Sequence, residues 1–211
     1  IMSRVKSIVL GCVALSVFAL THQSRADVPF KNGRVLIPTQ ASVETAAAVV
    51  SLAQPLGETH LVVQFSEPVT DEVRTKLEQS GVRLLDPLGD NAFFAHADSN
   101  RLNAVSLGEV KSLSGVSAVA TELKLHPMLN AGEVHMYAAV SKAPQMEDGK
   151  PVSEKDQELL LNPTVGAYLK FHPDVNLAQD GIPLVQQYGA TVRDVLETIN
   201  GLVIELPYQT I

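Results

Sequence analysis

The stretch GVRLLDPLGDNAFFAHA, residues 81–97, decides the fold of the first half of the chain. It holds an alternating apolar run, a Gly-Asp-Asn turn signal and a second apolar run, which together predict two strands joined by a tight turn. A second stretch, GATVRDVLETINGLVIELP, residues 189–207, repeats this shape. The sequence therefore predicts one structural module made twice.

The residues around the first stretch complete a module over residues 58–128. HLVVQF, residues 60–65, predicts a strand, and SEPVTDEVRTKLEQSG, residues 66–81, predicts a helix ended by glycine. NRLNAVSLGEVKSLSG predicts a second helix, and VSAVATELKL, residues 116–125, a fourth strand. The order β-α-β-β-α-β predicts an α+β fold of the ferredoxin-like plait type, an antiparallel sheet with both helices on one face.

The second copy, residues 166–211, is expected to be a partial plait. GAYLKFHPDV supplies the strand and LAQDGIPLVQQYG the helix, so that Phe171 corresponds to Phe65 and Asn200 to Asn91. The copy ends before a second helix and a fourth strand. Together with the leading Ile1, this ending predicts that the chain is a fragment of a longer gene product.

Two segments lie outside the repeat. Residues 27–57 are expected to form a lead-in with one Ala-rich helix capped by Ser42. Residues 129–165 form a connector rich in Pro and Gly, in which Ser153 is expected to cap a short helix.

The N-terminus predicts export. Residues 1–26 hold a basic start, the apolar run 7–20 and small residues at the end, which is the pattern of a secretory signal peptide cut between Ala26 and Asp27. The mature protein is then secreted or periplasmic, with no stable membrane span. The alternatives are lipoprotein processing at Cys12 and an uncleaved anchor.

The composition argues against a nucleic-acid partner. The formal net charge is −7, and it becomes −10 when the leader is removed with its three basic residues. Proteins that bind nucleic acid need a basic face. Cys12 is the single cysteine of the chain, so the mature protein has no disulfide.

The sequence carries no catalytic constellation, so an enzyme activity of these residues is not expected. No nucleophile elbow, phosphate loop or dinucleotide fingerprint is present, and no cofactor is predicted. The histidines after the leader lack metal-ligand spacing, so no metal site is predicted. They are His60, His96, His126, His135 and His172.

The first module resembles the pro-regions of secreted subtilisin-like serine proteases. The likeness lies in HLVVQFSEPVTDEVRTKLEQSGVRLLDPLGDNAFFAHAD, residues 60–98, and continues through VSAVATELKLHP. The stretch from Tyr168 to Pro207 is similar to the prodomain of fervidolysin-like members of that superfamily. The family's catalytic motifs do not occur in these 211 residues, so no catalytic residue can be carried over.

The resemblance implies a non-catalytic partner protein. Such pro-regions dock the open face of their sheet on the catalytic domain of the same precursor, assist its folding and hold it inactive. Strand alternation predicts which side chains form that face: Val62 and Phe94 as the anchor, with His60 and His96 beside them. Protonation of the histidines near pH 6 is expected to weaken docking. The alternative is an exported ligand-binding or adhesion repeat unrelated to a protease.

Overall fold

The computed structural model describes residues 25–133, 138–141 and 144–211. Most of the predicted leader, including Cys12, lies outside these residues, and its cleavage stays a prediction. Ala26 and Asp27, the two residues at the expected cleavage site, lie in the first strand.

The described residues form short strands and short helices. The strands are β1 Arg25–Phe30, β2 Gly33–Pro38, β3 Glu58–Phe65, β4 Val82–Gly89, β5 Ala92–Asp98, β6 Leu113–Ala118, β7 Met146–Glu147, β8 Lys150–Pro151, β9 Thr164–Lys170, β10 Thr191–Leu196 and β11 Gly201–Pro207. The helices are α1 Ser42–Ala53, α2 Asp71–Gln79, α3 Ala104–Gly108, α4 Thr121–Lys124, α5 Pro127–Asn130, α6 Glu154–Leu161 and α7 Ile182–Gln187, with a π-helical turn at Leu177–Gly181 and 3-10 turns at Glu197–Ile199 and Tyr208–Thr210.

The first module is an antiparallel sheet in the order β4-β5-β3-β6, with helices α1, α2 and α3 on one face. The predicted strand alternation is confirmed on this face. Leu61, Val63 and Phe65 of β3 are buried in the helix-side core, where Leu77 of α2 and Leu107 of α3 also lie. The chain is therefore an α+β protein with antiparallel sheets, as expected.

The opposite face of the first sheet carries a β-hairpin that the sequence analysis missed. Strands β1 and β2 pair through the two-residue turn Lys31-Asn32, and Val28, Val35 and Ile37 are buried against the sheet. Two apolar runs separated by a two-residue turn are a hairpin signal. The lead-in thus contributes a layer on each side of the sheet, the hairpin on one and α1 on the other.

The second module is the three-stranded antiparallel sheet β10-β11-β9 with α7 packed on it. Its register repeats that of the first module. The Phe65 N–H donates to the Asn91 carbonyl at 3.1 Å, and the Phe171 N–H donates to the Asn200 carbonyl at 2.9 Å. Residues 138–141 add one bridge to the free edge of β9 near Thr164.

Three local expectations need correction. The fourth strand runs over Leu113–Ala118, earlier than predicted, because TELK winds into the helical turn α4. The preceding helix covers only Ala104–Gly108. Ser42 is the first helical residue instead of the cap, and its hydroxyl donates to the Gly108 carbonyl, tying α1 to α3. The cap predicted at Ser153 is confirmed. Thr70 caps α2, with its hydroxyl oxygen accepting from the Val73 N–H.

In the part of the chain that the structure describes, no helix combines the length and apolar character needed to cross a membrane.

Candidate functional site

The predicted docking face is covered within the chain itself. Val62 points away from the helices, as alternation requires, but it is 0% exposed beneath the β1–β2 hairpin. The expectation of an open face at Val62 is therefore wrong for this conformation. The cause is the hairpin, whose apolar side chains bury the centre of the sheet.

Phe94 is half-buried and also has partners inside the chain. Its ring meets Phe30 of the hairpin edge-on at 5.9 Å between centroids, and His172 of the second module at 4.8 Å. Edge-to-face contacts of this kind are favourable packing. In this arrangement Phe94 is thus a contact between layers of the chain, where the sequence predicted an exposed anchor.

His60 and His96 do come together, with a third basic residue beside them. The register places Arg83 of β4 opposite His96 of β5, and His96 opposite His60 of β3. The three side chains form a row across the outer face, and the two imidazole rings lie 5.5 Å apart. Cross-strand neighbours on one face interact in this way.

Asp174, from the loop after β9, lies against this row. His60 Nε2 is 3.0 and 3.1 Å from the two carboxylate oxygens, and Arg83 Nη2 is 3.3 Å from one of them. His96 Nδ1 lies further away, at 3.8 Å. The Asp174 side chain is only 6% exposed. A carboxylate so buried needs partners, and these come from the first module.

The environment of Asp174 favours its charged form. Burial on its own raises the pKa of the carboxyl, but the hydrogen bond from His60 and the charges of His60 and His96 outweigh it, so the pKa of Asp174 lies below its ordinary value. The carboxylate is therefore ionised throughout the range in which histidines titrate.

His172 stacks on His60, with 4.1 Å between ring centroids and 18° between planes. Burial lowers the pKa of the His172 imidazole, and the neighbouring His60 lowers it further. The backbone of this loop is held by Asn200, whose amide nitrogen donates to the carbonyls of His172 at 2.6 Å and Val175 at 3.1 Å. We call His60, His96, Arg83, His172 and Asp174 the joint.

The sequence analysis did not assign Asp174, His172 or Arg83 to a site. Asp174 lies 114 positions from His60, so spacing along the chain cannot reveal the pair. The repeat offers one signal in the sequence. His172, Pro173 and Asp174 directly follow Phe171, which aligns with Phe65 at the end of β3.

A groove of about 840 Å³ opens beside the joint, between the two modules. It is lined by aromatic and imidazole rings from both modules and by charged side chains. The lining includes Phe30, Phe94, His60, His172, Lys124 and Lys170. Within residues 25–133, 138–141 and 144–211, no group of three His, Cys, Asp or Glu side chains could hold a metal ion. The arrangement suits binding through apolar and charged contacts.

Among the residues that the structure describes, no hairpin lies over the corresponding sheet face of the second module. Its register aligns Tyr168 with Val62 and Val203 with Phe94, because Phe171 aligns with Phe65. Tyr168 is 78% exposed. The face that the sequence predicted to be open on the first module is therefore open on the second.

Comparison with known proteins gives one similarity. No curated protein and no solved structure matches the chain significantly. The model of a family described as a domain of unknown function, DUF8729, matches residues 29–120, which is less than half of the chain. The similarity covers most of the hairpin, α1 and the first module.

Proposed function

We propose that the chain is an exported, non-catalytic pro-region that assists the folding of a secreted subtilisin-like serine protease and inhibits it. The first module is, in this proposal, a ferredoxin-like plait. Its strand order β4-β5-β3-β6, with α2 and α3 on one face, is the observation that supports the proposal most. The resemblance of residues 60–98 to such pro-regions supplies the partner.

The docking surface in this proposal is the outer face of the second module. Tyr168 and Val203 lie side by side there, paired across β9 and β11. Tyrosine is enriched among residues that dominate interface energies, and burying one is worth about 2 kcal/mol or more. The equivalent pair on the first module, Val62 and Phe94, already has partners in the hairpin and the second module.

The experiment uses the chain produced by export, in which N-terminal mass analysis should find Asp27 as the first residue. This protein is mixed with purified mature subtilisin, and hydrolysis of a chromogenic peptide is followed. We expect inhibition, which Tyr168→Ala weakens at least about tenfold. Tyr188→Ala is the matched control, because Tyr188 is 65% exposed on the other side of the second sheet.

Two results would contradict the proposal. Absence of inhibition at high protein concentration would show that the protease is not the partner. Equal inhibition by the Tyr168→Ala and Tyr188→Ala variants would show that the outer face of the second module is not the docking surface.

The second candidate is an exported ligand-binding or adhesion module that never meets a protease. The groove between the modules favours it, because its volume lies in the range of ligand pockets and its walls are rich in rings. This candidate predicts that the chain leaves subtilisin fully active. It also predicts that a small aromatic ligand raises the stability of the wild type but not that of the Phe94→Ala variant.

A further inference from the structure

The joint brings two imidazole rings into face-to-face contact while giving them unequal partners. His60 lies in hydrogen-bond distance of both Asp174 oxygens, whereas His172 has its stacking contact with His60 and its edge contact with Phe94. A positive charge on His60 would therefore be stabilised by the Asp174 carboxylate. A positive charge on His172 would lie against the second imidazole and the apolar ring of Phe94.

The charges around the joint do not offset a proton on His172. The groups that face His172 or its neighbours from all sides are His60, Asp174, Asp86, Lys124, Arg83, His96, Glu58 and Lys170. Asp174 is shared by Arg83 and His60, Asp86 lies 3.8 Å from Lys170, and Glu58 lies 3.8 Å from His96. Each acidic group near His172 thus already has a basic neighbour.

We propose that the joint is an acid-sensitive contact that holds the two modules together at neutral pH and releases them when His172 is protonated against the His60 ring. The element with two states is the loop that carries His172 and Asp174, docked on the row Arg83, His96 and His60 or withdrawn from it. Release would remove the contact of Phe94 with His172 and uncover the outer face of the first sheet at Arg83, His96 and His60. The proposal concerns contacts within the chain and does not depend on subtilisin binding.

Proton linkage gives the sign of the effect. The pKa of His172 is lowered in the docked state, by burial first and by His60 second. A histidine of this kind contributes stability above its ordinary pKa of about 6.5, and that contribution is lost as the pH falls. Asp174, with its lowered pKa, stays ionised across the same interval and keeps its attraction for His60. Protonation of His172 is therefore the change that destabilises the docked state.

Small-angle X-ray scattering of the chain from Asp27 tests the proposal at about pH 7.5 and about pH 5, on either side of the histidine range. We expect the radius of gyration to increase at the lower pH. His172→Phe keeps a ring against His60 and Phe94 but cannot be charged, so it should stay compact at both values. His172→Arg carries a permanent charge and should be expanded already at pH 7.5.

His126→Gln is the control, because His126 is the exposed N-cap of α5 and lies outside the joint. Its scattering should change with pH as the wild type does, while far-UV circular dichroism confirms that each variant is folded. A wild-type radius that is the same at both values overturns the proposal. So does an equal expansion of wild type and His172→Phe.

Discussion

At the scale of the residue, Asn200 combines a backbone and a side-chain role. Its φ of +50° places it in the left-handed region, and its amide holds the loop of His172 and Val175. Asn91 occupies the equivalent turn of the first module with a φ of +60°. Asparagine tolerates this conformation better than most residues, and glycine tolerates it best.

Replacing each asparagine by glycine separates the two roles. Asn200→Gly should cost about 1–2 kcal/mol of unfolding free energy, because two hydrogen bonds are lost while the backbone is relieved. Asn91→Gly should stay within about 0.5 kcal/mol of wild type. Urea unfolding measures both. Equal effects at the two positions would mean that the amide of Asn200 does not stabilise the loop.

The residues of the joint show what a single sequence can and cannot predict about a site. Alternation along β3 and β5 placed His60 and His96 on the outer face, and the register confirms that they are neighbours. Nothing local placed Asp174 beside them, since that contact depends on how the second module packs on the first. The burial of Val62 likewise depends on a hairpin that folds back from the N-terminus.

At the scale of the element, the two helix-ending glycines offer a comparison within one chain. Gly81 and Gly189 both have positive φ, +85° and +77°. A Cβ on Gly81 would lie 2.6 Å from the Arg101 carbonyl carbon, whereas a Cβ on Gly189 would meet nothing within 4 Å. The first position is therefore constrained by packing and by φ, and the second by φ alone.

The alanine variants should differ accordingly. Gly189→Ala should cost about 1–2 kcal/mol for the left-handed conformation. Gly81→Ala should cost at least about 1 kcal/mol more, since the backbone at Arg101 has to shift. The check is the free energy of unfolding of each variant in urea. A cost at Gly81 no larger than that at Gly189 would show that the turn at Arg101 yields without strain.

The elements that were predicted well are those with both a pattern and a stop signal. The helix after Thr70 has a cap, acidic first-turn residues and Gly81 at its end, and the structure contains it as expected. The segment from Asn100 to Leu125 has apolar residues but weak stops, and there the helix was predicted too long and the strand too late. In such segments tertiary contacts determine whether a residue is helical or extended, because its local propensities for the two conformations differ little.

At the scale of the whole molecule, the joint determines whether the two modules unfold together. Asp174 belongs to the second module, yet its contacts with His60 and Arg83 lie on the first. The chain contains a natural probe for this coupling. It has no tryptophan, and its four tyrosines, Tyr137, Tyr168, Tyr188 and Tyr208, all lie beyond the first module. Tyrosine fluorescence thus reports the second half, whereas far-UV circular dichroism reports both.

We expect the two signals to give coincident urea transitions at pH 7.5 in the wild type, because coupled modules unfold as one unit. Asp174→Ala removes the charged hydrogen-bond acceptor, an interaction worth about 1.5–3 kcal/mol, and should separate the two transitions. Asp180→Ala, which removes an exposed carboxylate in the π-helical turn after this loop, should leave them coincident. Transitions that coincide equally in Asp174→Ala and in wild type would show that contacts other than the joint couple the modules, with the ion pair of Lys170 and Asp86 as the next to replace.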